Sequence, residues 1–259
     1  MGSFSYLATL LRLNVKSGLR PFLPSAIAAT LMCANNLVFF IIWLIYFQRF
    51  SSLKGWGLED VALLFGIAAW SFGLTVLVAG GVRDIARSIV DGSLDVHLGR
   101  PRHPLPSLIF GRSIAAGFGD LASAVVLWLG YAGKDLLDLP FILLVASAAA
   151  VIVVATATLV SLTVFWLPNT VQLVEDVYFM LLMAAVYPQH VFGPFLRLLL
   201  FTLLPAAFIG LVPVETIRET SLEKLAVLLG AALVYASLAV LVFERGLKRY
   251  TSGSSLSAP

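Results

Sequence analysis

Between Pro21 and Phe47 the chain runs for 27 residues without an Asp, Glu, Lys or Arg. At about 1.5 Å per residue a helix of that length reaches about 40 Å, more than the hydrocarbon core of a bilayer, which is about 30 Å thick. Inside hydrocarbon every backbone N–H and C=O must be satisfied within the protein, so such a run points to a transmembrane helix. A cleaved signal peptide fits worse, because its apolar region would cover only about 7 to 15 residues and would begin nearer Met1. Composition agrees: 60% of the residues are hydrophobic, 12% are charged, and the mean hydropathy is +0.98, against about 45–50% apolar and about 25% charged in soluble domains. An ordinary soluble globular domain is excluded.

Further spans follow the first. Val61 to Val82 is uncharged, and Leu108 to Tyr131 holds Arg112 and Asp120. A span from about Pro140 to Trp166 ends before Pro168 and Asn169, which break a helix. Leu222 to Phe243 starts behind Thr220-Ser221 with Glu223, a capping pattern. Val171 to Val212, interrupted by Pro188, Pro194 and Pro205 and followed by Pro213, admits one crossing or two. The basic residues decide between them. With a cytoplasmic N-terminus and six crossings, the inside receives ten: Arg12, Lys16, Arg20, Arg83, Arg87, Arg100, Arg102, Arg245, Lys248 and Arg249. The outside receives six, namely Arg49, Lys54, Lys134, Arg197, Arg218 and Lys224. A seventh crossing would put the basic tail outside, against the positive-inside rule.

The expected fold is therefore an all-α membrane protein, one transmembrane domain over residues 1–259 with six spans, at about 21–47, 61–82, 108–131, 140–166, 171–187 and 222–243. An interfacial amphipathic helix over 3–20 precedes them, with Arg12, Lys16 and Arg20 suited to anionic headgroups. Between spans five and six, residues 188–213 form a re-entrant hairpin on the outer side. Its markers are Tyr187, Pro188, Arg197, Pro205 and Pro213, and backbone so rich in proline is tolerated at depth only against protein or a cavity.

Few groups carry chemistry. A net charge of +3 is too small to imply nucleic acid, and one cysteine, Cys33, forms no disulfide or thiolate cluster within the chain. His97, His103 and His190 lack metal-ligand spacing. Asp120 lies near the middle of the third span, where a carboxylate costs about 2.5 to 3.5 kcal/mol on insertion scales and must be paired, neutral or facing water. Asn35 and Asn36 sit at similar depth and could reach it. Both a bundle-holding hydrogen bond and a role in a substrate path remain open. Gly111, Ala115 and Gly119 form a small-residue stripe read as helix packing. Glu175 and Asp176 read as helix N-terminal acids.

Residues 83–107 are the longest charged stretch. A short helix over Arg83 to Val90 closes at Gly92, and prolines 101, 104 and 106 stop a second turn before the third span. This is either a connecting loop or a docking surface. Its string GSLDVHLGRP resembles the signature of a bacterial permease family among the type-2 ATP-binding-cassette (ABC) exporters, and YPQHVFGPFLRLLLFTLLPAAFIGLVP is similar to the same family. The resemblance covers nearly the whole chain. It implies a permease subunit of an inner membrane whose loop, through Asp91, Gly92, Leu94, Asp95, Leu98, Arg100 and Pro101, docks on a separate ABC ATPase. It also implies a second permease, identical or homologous, with a slight lean toward a heteromer.

No GxxxxGK[ST] phosphate loop occurs, so no cofactor is expected in this chain, and ATP with Mg would sit on the partner ATPase. The scarcity of intramembrane charge favours a lipidic, amphipathic or peptide-like cargo, with membrane lipids as neighbours. An intramembrane enzyme using Asp120 and a non-transporting scaffold are the alternatives. The enzyme lacks a paired carboxylate or a nucleophile-base pair at one depth.

Overall fold

The computed structural model describes residues 3–187, 193–202 and 204–251. Thirteen α-helices follow in order among them: α1 (Ser3–Gly18), α2 (Phe22–Arg49), α3 (Leu58–Val78), α4 (Ile85–Val90), α5 (Leu94–Leu98), α6 (Pro104–Ile109), α7 (Ala116–Gly130), α8 (Leu139–Leu162), α9 (Val171–Val186), α10 (Pro194–Thr202), α11 (Ala206–Ile209), α12 (Leu211–Glu219) and α13 (Leu222–Leu247). No β-strand is formed by the described residues. Helices α2, α3, α8, α9 and α13, with short 3-10 extensions of α8 and α9, are long and apolar enough to cross a membrane. The protein is an all-α membrane protein.

Helix α3 is the hub. Buried positions occur all round it, and it packs against α7 and α8. Close approach is bought by small residues rather than by interlocking large ones. A side chain at Gly73 would collide with Asp120 of α7, and one at Gly119 would collide with the backbone of α2 at Ala29. Helix α8 contributes Ala146, Ala149 and Ala150 to the packed side, and the Ser71 hydroxyl of α3 donates to the Ala146 carbonyl at 3.1 Å. Trp128 of α7, fully buried, lies over Gly66 and donates its indole N–H to the Leu63 carbonyl at 3.4 Å.

A second apolar core sits at one end of the bundle, where Val82, Ile85, Leu94, Leu105 and Leu108 of the 83–107 region and its flanks meet Leu162, Val174 and Phe243. Both terminal segments reach this end. The Tyr250 hydroxyl donates to the Gly92 carbonyl at 3.3 Å, and Asn14 of α1 donates its side-chain amide to the Phe110 carbonyl at 2.6 Å.

Several expected boundaries move. The third span is not one helix over 108–131: α6 ends at Ile109, residues 110–115 are irregular, and α7 keeps 15 residues. The cause is Arg112, which turns out to Asp84 at 2.9 Å instead of entering the apolar core, while the opened backbone is satisfied by Asn14 and by Ile114 N–H donating to the Val76 carbonyl at 3.2 Å. The Gly111, Ala115 and Gly119 stripe therefore does not share a helix: only Gly119 lies within α7. Pro104 starts α6 at its first position instead of stopping a turn, since a helix's first N–H groups lack intrahelical partners. For the same reason Pro213 lies inside the first turn of α12, and the chain leaves that helix at Thr220, in the left-handed region at φ 48°. Glu175 and Asp176 sit in the second turn of α9, not at its start. There Glu175 faces Arg87 at 3.7 Å and Arg83 at 3.9 Å.

Candidate functional site

Three places gather the residues singled out in the sequence. The first is a polar knot inside the bundle. Asn36 of α2 points between α2 and α7, where its side-chain nitrogen donates to Asp120 Oδ1 at 2.7 Å and to Ser123 Oγ at 2.9 Å. Ser123 in turn donates to the Asp120 carbonyl at 2.8 Å. One amide nitrogen carries two hydrogens and both are used. Asp120 is 5% exposed, and Gly73 of α3 supplies the room for it. Asn35, one residue earlier, turns away and is exposed on the surface of α2.

The second place is the 83–107 platform. Leu94 is fully buried and anchors α5 from beneath. Asp91 accepts from the Ser93 backbone N–H at 2.9 Å, and Gly92, at φ 79°, makes the turn between α4 and α5. Behind α5, His97 Nδ1 lies 2.8 Å from Ser107 Oγ, and that hydroxyl gives its proton to the Pro104 carbonyl at 2.7 Å. The imidazole must then be the donor through Nδ1. Burial, and secondarily the Arg100 guanidinium, hold the His97 pKa below its ordinary value. Asp91, Leu98, Arg100 and Pro101 are exposed on the platform's outer side together with Val96, while Asp95 is partly buried. The 83–107 segment is thus a packed unit with an exposed mixed apolar and charged face. Sequence reading found its residues but not the His97–Ser107 link, whose ten-residue separation matches no periodic signal.

The third place is the opposite end. Asp60, in the first turn of α3, accepts from the Gly57 N–H at 3.0 Å and pairs with Arg218 of α12 at 3.2 Å. Lys224 bridges Glu215 at 2.9 Å and Glu219 at 2.7 Å. Pro205 precedes α11 and is buried, and Gly210 packs on Leu64 of α3 and on the Ala185 carbonyl near the end of α9. Tyr187 is exposed beyond α9, its ring 6.2 Å from that of Trp43. Pro188, His190 and the side chain of Arg197 lie outside what is described. Trp43 and Tyr46 form an aromatic cluster with Phe47, whereas Trp56 is buried. Among the described residues no group of His, Cys, Asp and Glu is arranged to hold a metal ion.

No curated protein and no solved structure matches the chain. A family model described as ABC-2 family transporter protein matches residues 33–254. That match takes in the Asn36–Asp120 knot, the platform and the Asp60–Arg218 end alike, and on it the chain belongs to the ABC-2 family of transporters, as a multi-pass membrane component.

Proposed function

We propose that this chain is the permease of an ATP-driven exporter, crossing the membrane six times with both termini in the cytoplasm. The 83–107 platform docks on a separate ABC ATPase, which binds ATP and Mg. The observation that carries this reading is the platform itself. A mere connector needs neither a private apolar core under Leu94 nor a hydrogen-bonded brace at His97 and Ser107, whereas a surface that transmits force needs both. In this reading Arg100, exposed with Asp91, Leu98 and Pro101, is the clamp, because a guanidinium fork binds a carboxylate or a helix end in a way Lys does not. The gathering of α1, the loop and Tyr250 at one end supports placing both termini on the same side, and the ten-to-six bias of basic residues supports calling that side cytoplasmic. The sixth crossing is α7, extended by residues 110–115.

Two further parts belong to the proposal. A second permease, identical or homologous, meets the exposed face of α2, where Asn35 presents an amide at mid-helix that hydrocarbon leaves without partners. The described part of the stretch between α9 and α13, residues 193–202 and 204–213, belongs to an outer re-entrant segment at the exit, and the Arg218–Asp60 pair at the end of α12 supports an outer level for its return.

The test is co-purification of the permease with a phosphate-loop ATPase, and ATP turnover that depends on the permease. Arg100→Ala with Asp95→Ala should lose both while the chain stays folded. If assembly and coupled hydrolysis survive in that variant, the docking role fails.

A further inference from the structure

Between α3, α6, α8 and α13 lies a cavity of about 510 Å³, within the range of about 300–1,000 Å³ typical of small-molecule sites. Its walls are Leu74, Ile109, Val151, Val154, Ala236 and Val240, and its mouth is marked by His103 and Glu244, whose Nε2 and Oε1 are 4.0 Å apart. The hydroxyls along it are already engaged. Thr75 and Thr158 donate to carbonyls one turn back, at 2.8 and 2.7 Å, and Ser147 accepts the Trp70 indole N–H at 3.2 Å. What remains is a hydrocarbon surface, which offers ordered water few partners.

Its depth is that of one leaflet. On α8 it runs from Ser147 to Thr158 and on α13 from Ala236 to Glu244, spans of about 16 Å and about 12 Å at the rise of a helix. Half of a hydrocarbon core is about 15 Å. Glu244 and His103 thus stand at headgroup level in the leaflet on the side of the termini. Lys248, four residues past Glu244 and still helical in conformation, lies on the same face one turn farther out.

We propose that this cavity is a binding site for one acyl chain of a zwitterionic phospholipid with an ammonium head. The chain fills the slot, the ammonium meets the Glu244 carboxylate, and the phosphate meets Lys248. An anionic lipid of glycerol type would bring its phosphate to Lys248 but only neutral hydroxyls to Glu244, so the paired charges favour the zwitterion. The slot is separate from the Asn36–Asp120 knot and from the exposed face of α2. Because α6 is one of its walls and is braced to α5 through Ser107 and His97, occupancy bears on the platform. That the leaflet is the cytoplasmic one rests on the proposed topology; the site does not.

The experiment is native mass spectrometry of the full chain released from micelles supplied with palmitoyl-oleoyl phosphatidylethanolamine or, in parallel, the phosphatidylglycerol of the same chains. The expected result is one phosphatidylethanolamine retained per chain under activation that strips other lipid. Ala236→Trp, which fills the slot, should lose it. Val240→Trp, at a position 40% exposed on the helix surface and so able to carry bulk, should lose it as well. Glu244→Gln with Lys248→Gln should keep a lipid but lose the preference between heads. Retention in either tryptophan variant, with elution and Tm unchanged, overturns the slot. An unaltered head preference in the double glutamine variant overturns the charge pairing.

Discussion

The Asn36–Asp120 knot allows a quantitative test of what holds α2 to α7. Asn36→Ala removes two hydrogen bonds at once, one to a carboxylate oxygen at 2.7 Å and one to a hydroxyl at 2.9 Å. In water a bond to a charged group contributes about 1.5–3 kcal/mol, but interhelical bonds measured in membranes average about 0.6 kcal/mol and reach at most about 1.7. Asp120 is nearly inaccessible and is wedged against Gly73, so losing the amide strands it, which places the effect at the upper end. The expected loss for Asn36→Ala is about 2 kcal/mol, and the coupling with Asp120→Ala in a double-mutant cycle is about 1–1.7 kcal/mol. The assay is equilibrium unfolding of the single chain in mixed micelles, followed by tryptophan fluorescence as the denaturing detergent fraction rises. Asn35→Ala is the internal control: the same side chain on the same helix, but facing outward, and expected to cost under about 0.5 kcal/mol. If the cycle is additive to within about 0.5 kcal/mol, or if the Asn35 variant loses as much as the Asn36 variant, the knot does not hold the two helices together.

Other outcomes follow from named contacts. Asn35→Leu should weaken association between permeases, read by crosslinking in the membrane, and leave single-chain unfolding unchanged. Gly119→Leu, whose side chain would run into the Ala29 carbonyl, should cost about 1–3 kcal/mol, while Gly230→Leu on α13, with open space around it, should be near neutral in the same unfolding assay. His97 is held below its unfolded pKa of 6.5, so on acidification the opened loop takes up a proton before the packed one does. Loop stability should therefore be level above that value and fall as pH drops below it. Hydrogen exchange of α5 and α6 at about pH 7.5 and about pH 5.5 checks the sign, and His97→Gln should flatten the dependence.

The apolar runs were legible because length alone commits them. The four uncharged or nearly uncharged stretches that became α2, α3, α8 and α13 have no other way to satisfy their backbones in hydrocarbon. The third span was misread at its start because a count of apolar residues treats Arg112 as a tolerated exception, whereas its partner, Asp84, lies 28 residues away on the far side of α4, α5 and α6. The same holds for the knot. Asn36 could be placed at the depth of Asp120 from the sequence, but which of two adjacent amides faces inward depends on the rotation of α2. That rotation is set at Gly119, where the α2 backbone at Ala29 and Cys33 passes too closely for any side chain. Leu94 read as part of a docking string and proved to be its anchor, because a five-residue helix shows no period from which to tell its inner face from its outer one.

The parts of the bundle differ in how they are held, and this bears on how a load at the platform would travel. Helix α3 runs into the 3-10 turn Gly80–Asp84 with only Ala79 between. That turn is gripped from two sides: a side chain at Gly81 would collide with the Leu108 carbonyl of α6, and Ser161 of α8 donates to the Val82 carbonyl at 3.3 Å. A push on α5 thus reaches α6 through His97 and Ser107, and from α6 it meets backbone that is continuous with the most buried helix. Helices α2 and α13 are different. Most of their large side chains, from Phe22 through Ile45 and from Leu222 through Leu241, stay exposed, and each is fastened along one side only, α2 by α7 and α3 through the knot, Gly119 and the buried Phe40, α13 by α8 and α12. Displacing α3 would require α7 and α8 to repack against it, since close-packed interfaces resist small shifts. Displacing α2 breaks the polar knot, the glycine crossing and the seat of Phe40 on Phe65, all along a single face, so if the proposed platform takes a load, the hub is expected to move as a unit and the relative motion to fall at the helices packed on one side.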